Sequence, residues 1–274
     1  MLQATTQGLY LHIPFCHQRC HFCAFYLEIH HARAAEEFVT SLLTELRVYG
    51  KSGVFGASPL DSIYFGGGTP TTLSSDKLAT ILGMATTAFG LSADAEVTVE
   101  AHPESVTRDS LAHLWQSGFT RLSFGAESMD QTELNRVGRP GSPGSTIHMM
   151  AVAREAGFTN INLDLMYGLP GQTLESWATS LRHTIELDPN HLSCYALTIE
   201  EGTSLKTAIQ RGLVPAPDEE LQNRMEDLAE EILSRAGYER YEISNYCRPG
   251  FASRHNRLHW TGGHYLGIGP SAQS

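Results

Sequence analysis

The sequence predicts an α/β protein, a partial (β/α)6 TIM-like barrel with a short C-terminal extension. Three observations predict it. Short apolar runs alternate with longer amphipathic stretches, strand then helix, as in a parallel sheet covered by helices. The chain has 274 residues, a length that suits one large α/β domain. Its residues are 41% hydrophobic, enough to bury a substantial core. Six strand-helix units in one run indicate an incomplete barrel, with a flat doubly wound sheet as the alternative.

Each element follows in order. Residues 8–13 (GLYLHI) read as the first strand and 33–49 as its helix. The run 62–65 (SIYF) is the second strand, and 74–89 a helix opened by the cap residue Ser74. Residues 96–100 (EVTVE) form the third strand, followed by a helix over 107–116. The fourth strand is 121–124 (RLSF), with helices over 131–136 and 145–156. The fifth is 160–165 (NINLDL) with its helix at 174–187, and 191–196 (HLSCYA) is the sixth. Past Glu200 the rhythm changes. A helix is expected over 218–235, just after Pro215 and Pro217, then an extended stretch over 237–246. The expected division is a core barrel over 1–200 and an extension over 201–274 that packs on it.

The formal net charge is −11, and no basic run offsets it. So acidic a surface repels phosphate backbones and disfavours a nucleic-acid partner. The opening residues lack a basic segment followed by a long apolar one, so no signal peptide is read. No apolar stretch approaches bilayer length, so no transmembrane segment is expected. These features point to the cytoplasm, where thiols stay reduced.

Three of the five cysteines fall within eight residues, as Cys16-x3-Cys20-x2-Cys23, directly after the first strand. Loops at the C-terminal ends of strands form the active face of a parallel barrel. Three thiolates suit iron–sulfur ligation. A cubane on three cysteines leaves one iron open, which the amino and carboxylate groups of S-adenosylmethionine (SAM) can chelate. Zinc is the alternative, with His17 or His21 as the fourth ligand.

The chain resembles the HemN/HemW group of radical SAM proteins, which contains coproporphyrinogen III dehydrogenases and haem chaperones. The resemblance begins at Tyr10-Leu-His-Ile-Pro-Phe-Cys16 and the cysteine motif. It continues through Gly66-Gly67-Gly68-Thr69-Pro70, Val99-Glu100-Ala-His-Pro103 and Arg121-Leu-Ser-Phe-Gly125. It includes Arg136-Val-Gly-Arg139 and residues 161–172 around Asp164. It closes with His255-Asn256 and Gly267-Ile-Gly-Pro-Ser-Ala272, and so covers nearly the whole chain. The resemblance implies a [4Fe–4S] cluster on Cys16, Cys20 and Cys23. It implies SAM contacts from Tyr10, Phe22, Gly67, Gly68, Thr69, Glu100, Arg139 and Asp164. The residue types agree: glycines admit close backbone approach, a carboxylate at Glu100 suits ribose hydroxyls, and a guanidinium at Arg139 suits a carboxylate. A salt bridge within the barrel, to Arg139, is the alternative for Asp164. Glu127 departs from the group, which usually has glutamine there, and is kept in the SAM set. Arg121 and Arg136 are read as structural or surface charges.

The branch is set by two features. The dehydrogenases carry a further cysteine where this chain has Phe25. The segment 255–260, HNRLHW, resembles a haem-linked motif of the chaperones, with His259 in place of its tyrosine. The resemblance therefore implies haem as a ligand, with His255 and His259 as candidate iron ligands. It implies a haem acceptor protein, a reductant such as flavodoxin or ferredoxin, and a further C-terminal domain beyond residue 274. A porphyrinogen oxidase and a haem-modifying radical SAM enzyme are the rival functions. Cys194 reads as a buried small hydrophobe, and Cys247 as a remote haem candidate.

Overall fold

The structure is a computed structural model that describes residues 7–53 and 58–274. Residues 1–6 of the expected core domain lie outside the described residues. The parallel strands are β1 (Gln7–Ile13), β2 (Leu60–Gly67), β3 (Leu91–Ala101), β4 (Arg121–Glu127), β5 (Ile161–Tyr167) and β6 (His191–Ala196). Three short strands follow: β7 (Glu239–Arg240), β8 (Asn245–Cys247) and β9 (His264–Ile268). The sheet runs β9-β1-β2-β3-β4-β5-β6-β8-β7, an open order in keeping with an incomplete barrel. Strand β9 pairs parallel to β1, and β8 antiparallel to β6. The last quarter of the chain thus adds strands to both sides of the six-stranded sheet.

Helices α1 (Ala32–Ser52), α2 (Ser75–Phe89), α3 (Arg108–Gln116), α4 (Gln131–Arg136), α5 (Pro143–Ala156) and α6 (Leu174–Glu186) connect the parallel strands. Local chemistry sets their ends. Ser74 caps α2 by accepting from the Lys77 amide. Thr107 and Thr173 build reciprocal caps with Ser110 and Ser176. Beyond the barrel come α7 (Ser204–Gln210), α8 (Glu219–Arg235) and α9 (Arg254–Thr261).

Strand alternation sorts the side chains. Leu9, Leu11, Ile13, Ile63, Phe65, Val97, Val99, Leu122, Phe124, Leu163 and Leu165 are buried and join the helices in one core. Each such burial contributes about 1.5–3 kcal/mol. The intervening positions are different in kind: Tyr10 and His12, Ser62 and Tyr64, Glu96, Thr98 and Glu100, Arg121 and Ser123, Asn162 and Asp164, His191 and Ser193. Parallel register places Tyr10 beside Tyr64, Tyr64 beside Thr98, and Thr98 beside Arg121. The sheet therefore has an apolar face under its helices and a polar face within its curve. Arg121, expected as a structural or surface charge, is 1% exposed and lies on that inner face, so the surface reading is withdrawn.

Candidate functional site

The cysteine loop leaves the C-terminal end of β1. A short parallel pair, Phe15–Cys16 with Glu28–Ile29, closes its base. The His21 amide donates to the Val137 carbonyl at 2.9 Å, and Gln18 Nε2 to the Gly138 carbonyl at 3.0 Å. Arg19 donates to the carbonyls of Cys23 and Leu27. The loop is thus tied to the segment that carries Arg139.

Cys16 Sγ lies 3.4 Å from Thr69 Oγ1, and Arg139 Nη1 donates to Cys20 Sγ at 3.7 Å. Burial pushes all three thiols up, and each also feels the charge of a neighbouring cysteine. Arg139 opposes that shift at Cys16 and Cys20, and Arg19 at Cys16 and Cys23. The donor set fits an iron–sulfur cubane: soft ligands, partly shielded, with cations that favour the thiolates. Among the described residues no three His, Cys, Asp or Glu side chains converge as around one ion. A cubane takes each thiolate on a different iron, so its ligands stand further apart. Neither proposed zinc partner turns to the thiols. His21 Nδ1 faces the Arg136 carbonyl, and His17 packs edge-on against His30 at 5.5 Å.

The glycine loop follows β2. Gly67 has φ +118°, and a Cβ there would sit 2.8 Å from the His12 ring. A Cβ on Gly68 would sit 2.8 Å from the Phe15 carbonyl oxygen. Both glycines are thus required by packing as well as by any ligand. Glu100, at the end of β3, accepts from Tyr64 Oη at 2.8 Å and from the Gly67 amide at 3.3 Å. Burial, followed by the charge of Asp164, raises its carboxyl to about 7.

Glu127 ends β4 at φ 65°, where the register with β5 slips between Gly125 and Glu127. Its carboxylate lies 3.3 Å from Arg139 Nη2. Arg139 also donates to the Gly125 carbonyl at 2.5 Å, while its Nε is buried without a partner. Asp164 takes no part in this pair. It accepts from Asn162 Nδ2 at 2.8 Å and Ser123 Oγ at 3.3 Å. The Asp164–Arg139 salt bridge considered from the sequence is therefore corrected: the bulge at β4 carries Glu127 to the guanidinium first.

A cavity of about 330 Å³ opens beside the cysteine loop. Tyr10, His12, Gly67 and Glu100 line it from the barrel, and Phe25 and Tyr26 from the loop. His259 and Tyr265 line it from the C-terminal segment. Of the expected haem ligands only His259 reaches it. His255 is 2% exposed, with Nδ1 3.0 Å from Ser62 Oγ. Phe22 packs instead with a small apolar group around Val137, Met166 and Leu169. Cys247 is buried in β8, far along the sheet order from β1 and β9.

Residues 10–183 match the radical SAM superfamily. The chain belongs to this superfamily. Within it, the chain falls in the HemN/HemW group. It is 38% identical over 268 residues to the heme chaperone HemW of Mycobacterium tuberculosis, across 97% of this chain and 68% of that protein. It is 39% identical to a mouse protein, radical S-adenosyl methionine domain-containing protein 1, mitochondrial, across 98% of this chain and 60% of that protein. Coproporphyrinogen III oxidase (HemN) from Escherichia coli, a radical SAM enzyme, superposes with a TM-score of 0.85 at 28% identity. That match covers 98% of this chain and 64% of the oxidase. The superfamily's cofactors are a [4Fe–4S] cluster and SAM, and they are the cofactors of this chain. Among the described residues no helix is long and apolar enough to cross a membrane.

Sequence reasoning passed over His12, Tyr26, Tyr265 and Gln273, which line the cavity, and Tyr64, which donates to Glu100 beside it. Two carried a readable signal. His12 and Tyr64 are polar residues at alternate positions of otherwise apolar strands, which marks the inner face. Tyr26 and Tyr265 stand in irregular or short segments and carried none.

Proposed function

We propose that this protein binds haem and passes it to an acceptor protein, on a radical SAM core. The observation that carries the reading is the 38% identity, over 97% of the chain, to a protein named as a haem chaperone. Phe25 supports it. This side chain is 70% exposed at the cavity and stands where the porphyrinogen dehydrogenases have a further cysteine.

In this reading Cys16, Cys20 and Cys23 hold the cluster. When bound, the cluster offers SAM an open iron and an electron for its sulfonium. The chain's own residues orient SAM. Arg139 has an unpartnered buried Nε, a donor suited to the methionine carboxylate. Among the described residues Glu100 receives two donors and is raised by burial, so ribose hydroxyls would complete its hydrogen bonding. Tyr10 and Gly67 line the same cavity, Thr69 and Gly68 shape its loop, and Asp164 completes the set, while Phe22 packs with Val137, Met166 and Leu169 and Glu127 acts on SAM through Arg139. The partners are haem or a related porphyrin, a haem acceptor protein, and a reductant such as flavodoxin or ferredoxin. The setting is the cytoplasm.

The similarity to coproporphyrinogen III oxidase supports a second reading, oxidative decarboxylation of coproporphyrinogen III. Incubation with haemin, and separately with coproporphyrinogen III, with and without SAM and reductant, separates the two. The expected result is a saturable Soret shift near one haem per chain and no protoporphyrinogen IX. Turnover dependent on SAM and reductant would overturn the carrier reading. Anaerobic reconstitution tests the cluster. Alanine at Cys16, Cys20 or Cys23 should abolish iron and sulfide uptake, whereas alanine at Cys194 or Cys247 should leave it intact.

A further inference from the structure

We infer that His191 and Tyr241 are positioning residues for the SAM site, joined to Asp164 by a one-way chain of hydrogen bonds that starts on the C-terminal segment. The inference rests on the assignment of Asp164 to SAM made above and names what holds that carboxylate in place.

Asp164 stands on the inner face of the sheet with little cationic help. The guanidinium of Arg139 is taken by Glu127. Arg121 acts on Asp164 through its charge, without a hydrogen bond. Glu100 and Glu127 both face Asp164 with like charge. Burial pushes the Asp164 carboxyl up, and hydrogen bonds from Ser193 and Asn162, the charge of Arg121 and a hydrogen bond from Ser123 pull it back. Neutral donors therefore carry much of the load.

The strands set the spacing of those donors. Asn162 and Asp164 are two residues apart on β5 and share one face of it. Parallel register puts Ser123 of β4 beside Asn162 on one side and His191 of β6 on the other.

Each link then has one direction. A carboxylate only accepts, so Asn162 turns its Nδ2 toward Asp164 Oδ1 at 2.8 Å, with Ser123 Oγ at 2.7 Å. The amide Oδ1 is left to face His191 Nδ1 at 2.6 Å and Ser193 Oγ at 3.2 Å. His191 must carry its proton on Nδ1 to donate there. Its ring is fully buried, and burial, with the charge of Arg121, drives its pKa well below the ordinary value and keeps it neutral. Nε2 is thus the lone-pair nitrogen, and it accepts from Tyr241 Oη at 2.8 Å. Tyr241 Oη accepts in turn from the Ser253 amide at 3.3 Å. Donation runs the same way throughout, from Ser253 to Tyr241, His191, Asn162 and Asp164. Aligned hydrogen bonds polarise one another, so the last donor is stronger than a lone amide.

The chain of bonds crosses the fold. Tyr241 lies in the turn between β7 and β8, the strands that extend the sheet past β6. Its ring stands edge-on to His191 at 5.5 Å. The side chains of His191 and Asn162 separate it from Asp164, yet its hydroxyl fixes the tautomer of His191 and so the aim of Asn162. Docking of the C-terminal segment thereby prepares the carboxylate.

Calorimetric titration of SAM into the reconstituted 274-residue chain, with nitrogen NMR of labelled histidine, tests the assignment. His191 should be neutral with its proton on Nδ1 across the neutral pH range. Tyr241→Phe keeps the ring and removes the hydroxyl. It should move the His191 nitrogen signals and weaken SAM roughly threefold. His191→Phe should weaken SAM roughly tenfold, and Tyr241→Phe carries the test wherever that variant fails to fold. Both losses should vanish in an Asp164→Asn background, because a chain that acts through one carboxylate has nothing left to aim. A general loss of packing would instead add to the effect of Asp164→Asn. A proton on Nε2 of His191, unchanged SAM affinity in Tyr241→Phe, or additive losses in the double variants would overturn the inference. SAM affinity unchanged in Asp164→Asn alone would overturn the assignment of Asp164 on which it rests.

Discussion

Two carboxylates at the mouth of the barrel govern what the site can hold. Glu100 has its pKa raised by burial from 4.5 to about 7, so the folded chain holds that proton more tightly than the unfolded chain. The stability this contributes is complete below the ordinary value of 4.5 and is lost as pH rises toward and past 7. Glu100→Gln removes the loss. The variant should exceed the wild type by about 2 kcal/mol at pH 8 and match it at acid pH, as read by denaturant melts across that range. The same variant should bind SAM more weakly, since an amide is a poorer acceptor for ribose hydroxyls. A stability gap that does not change with pH would count against the buried, proton-holding carboxylate. Glu127 acts on Arg139. Its carboxylate lies 3.3 Å from the guanidinium and neutralises the charge that would meet the SAM carboxylate. Glu127→Gln should therefore tighten SAM binding by about 1.5 kcal/mol, the worth of one charge-assisted contact. Calorimetry on the reconstituted chain reads this directly, and weaker binding would mean that the carboxylate itself touches SAM.

At the scale of elements, α9 decides where the C-terminal histidines point. Its N-terminus is satisfied by a side chain 157 residues away, Glu96 on β3, in addition to the Ser253 cap. Gly262 ends it in a left-handed conformation at φ 67°. Replacing Glu96 with alanine removes the acceptor and leaves the Arg254 and His255 amides without it. The helix terminus should lose about 1 kcal/mol, and amide exchange over residues 253–261 should speed up roughly fivefold. Haemin affinity should fall in parallel if His259, which lines the cavity, carries the proposed haem contact. Exchange confined to its wild-type rate would show that the Ser62–His255 contact alone suffices.

At the scale of the whole molecule, the sheet separates two environments. Its outer face is apolar and gives the core, while its inner face is polar and opens at the cysteine loop. The cavity draws on β1, β2 and β3, on the loop carrying Phe25 and Tyr26, and on the C-terminal segment. A volume of about 330 Å³ is at the small end for ligand sites. Glu100 and Gly67, the proposed SAM contacts, share it with His259, a candidate haem contact. The two ligands should therefore oppose each other. Saturating SAM should raise the apparent haemin Kd roughly tenfold, and haemin should weaken SAM by the same factor, as linkage requires. Independent binding in both titrations would show that haem sits wholly outside the cavity.

Sequence by itself determined the features that depend on neighbours in the chain. The six strands and their helices were legible because burial periodicity is local, and Ser74 announced a cap that the structure keeps. The cysteine spacing was legible because its three thiols lie on one short loop. The inner polar face left a trace in the alternation Glu96-x-Thr98-x-Glu100 and its counterparts, which reading for apolar runs alone passed over. Tertiary structure decided what depends on residues distant in sequence. A bulge at β4 turned Glu127, in place of Asp164, toward Arg139. Register between β1 and β9, from Gln7 beside His264 to Leu11 beside Ile268, ran the C-terminal segment along β1 and so brought Tyr265, Ser271 and Gln273 to the cavity. The packing of α9 on Ser62 and Glu96 buried His255 and left His259 at the cavity. Two histidines four residues apart look alike in a sequence. Only the pairing of β9 with β1 and the docking of the helix assign one to the core and the other to the cavity.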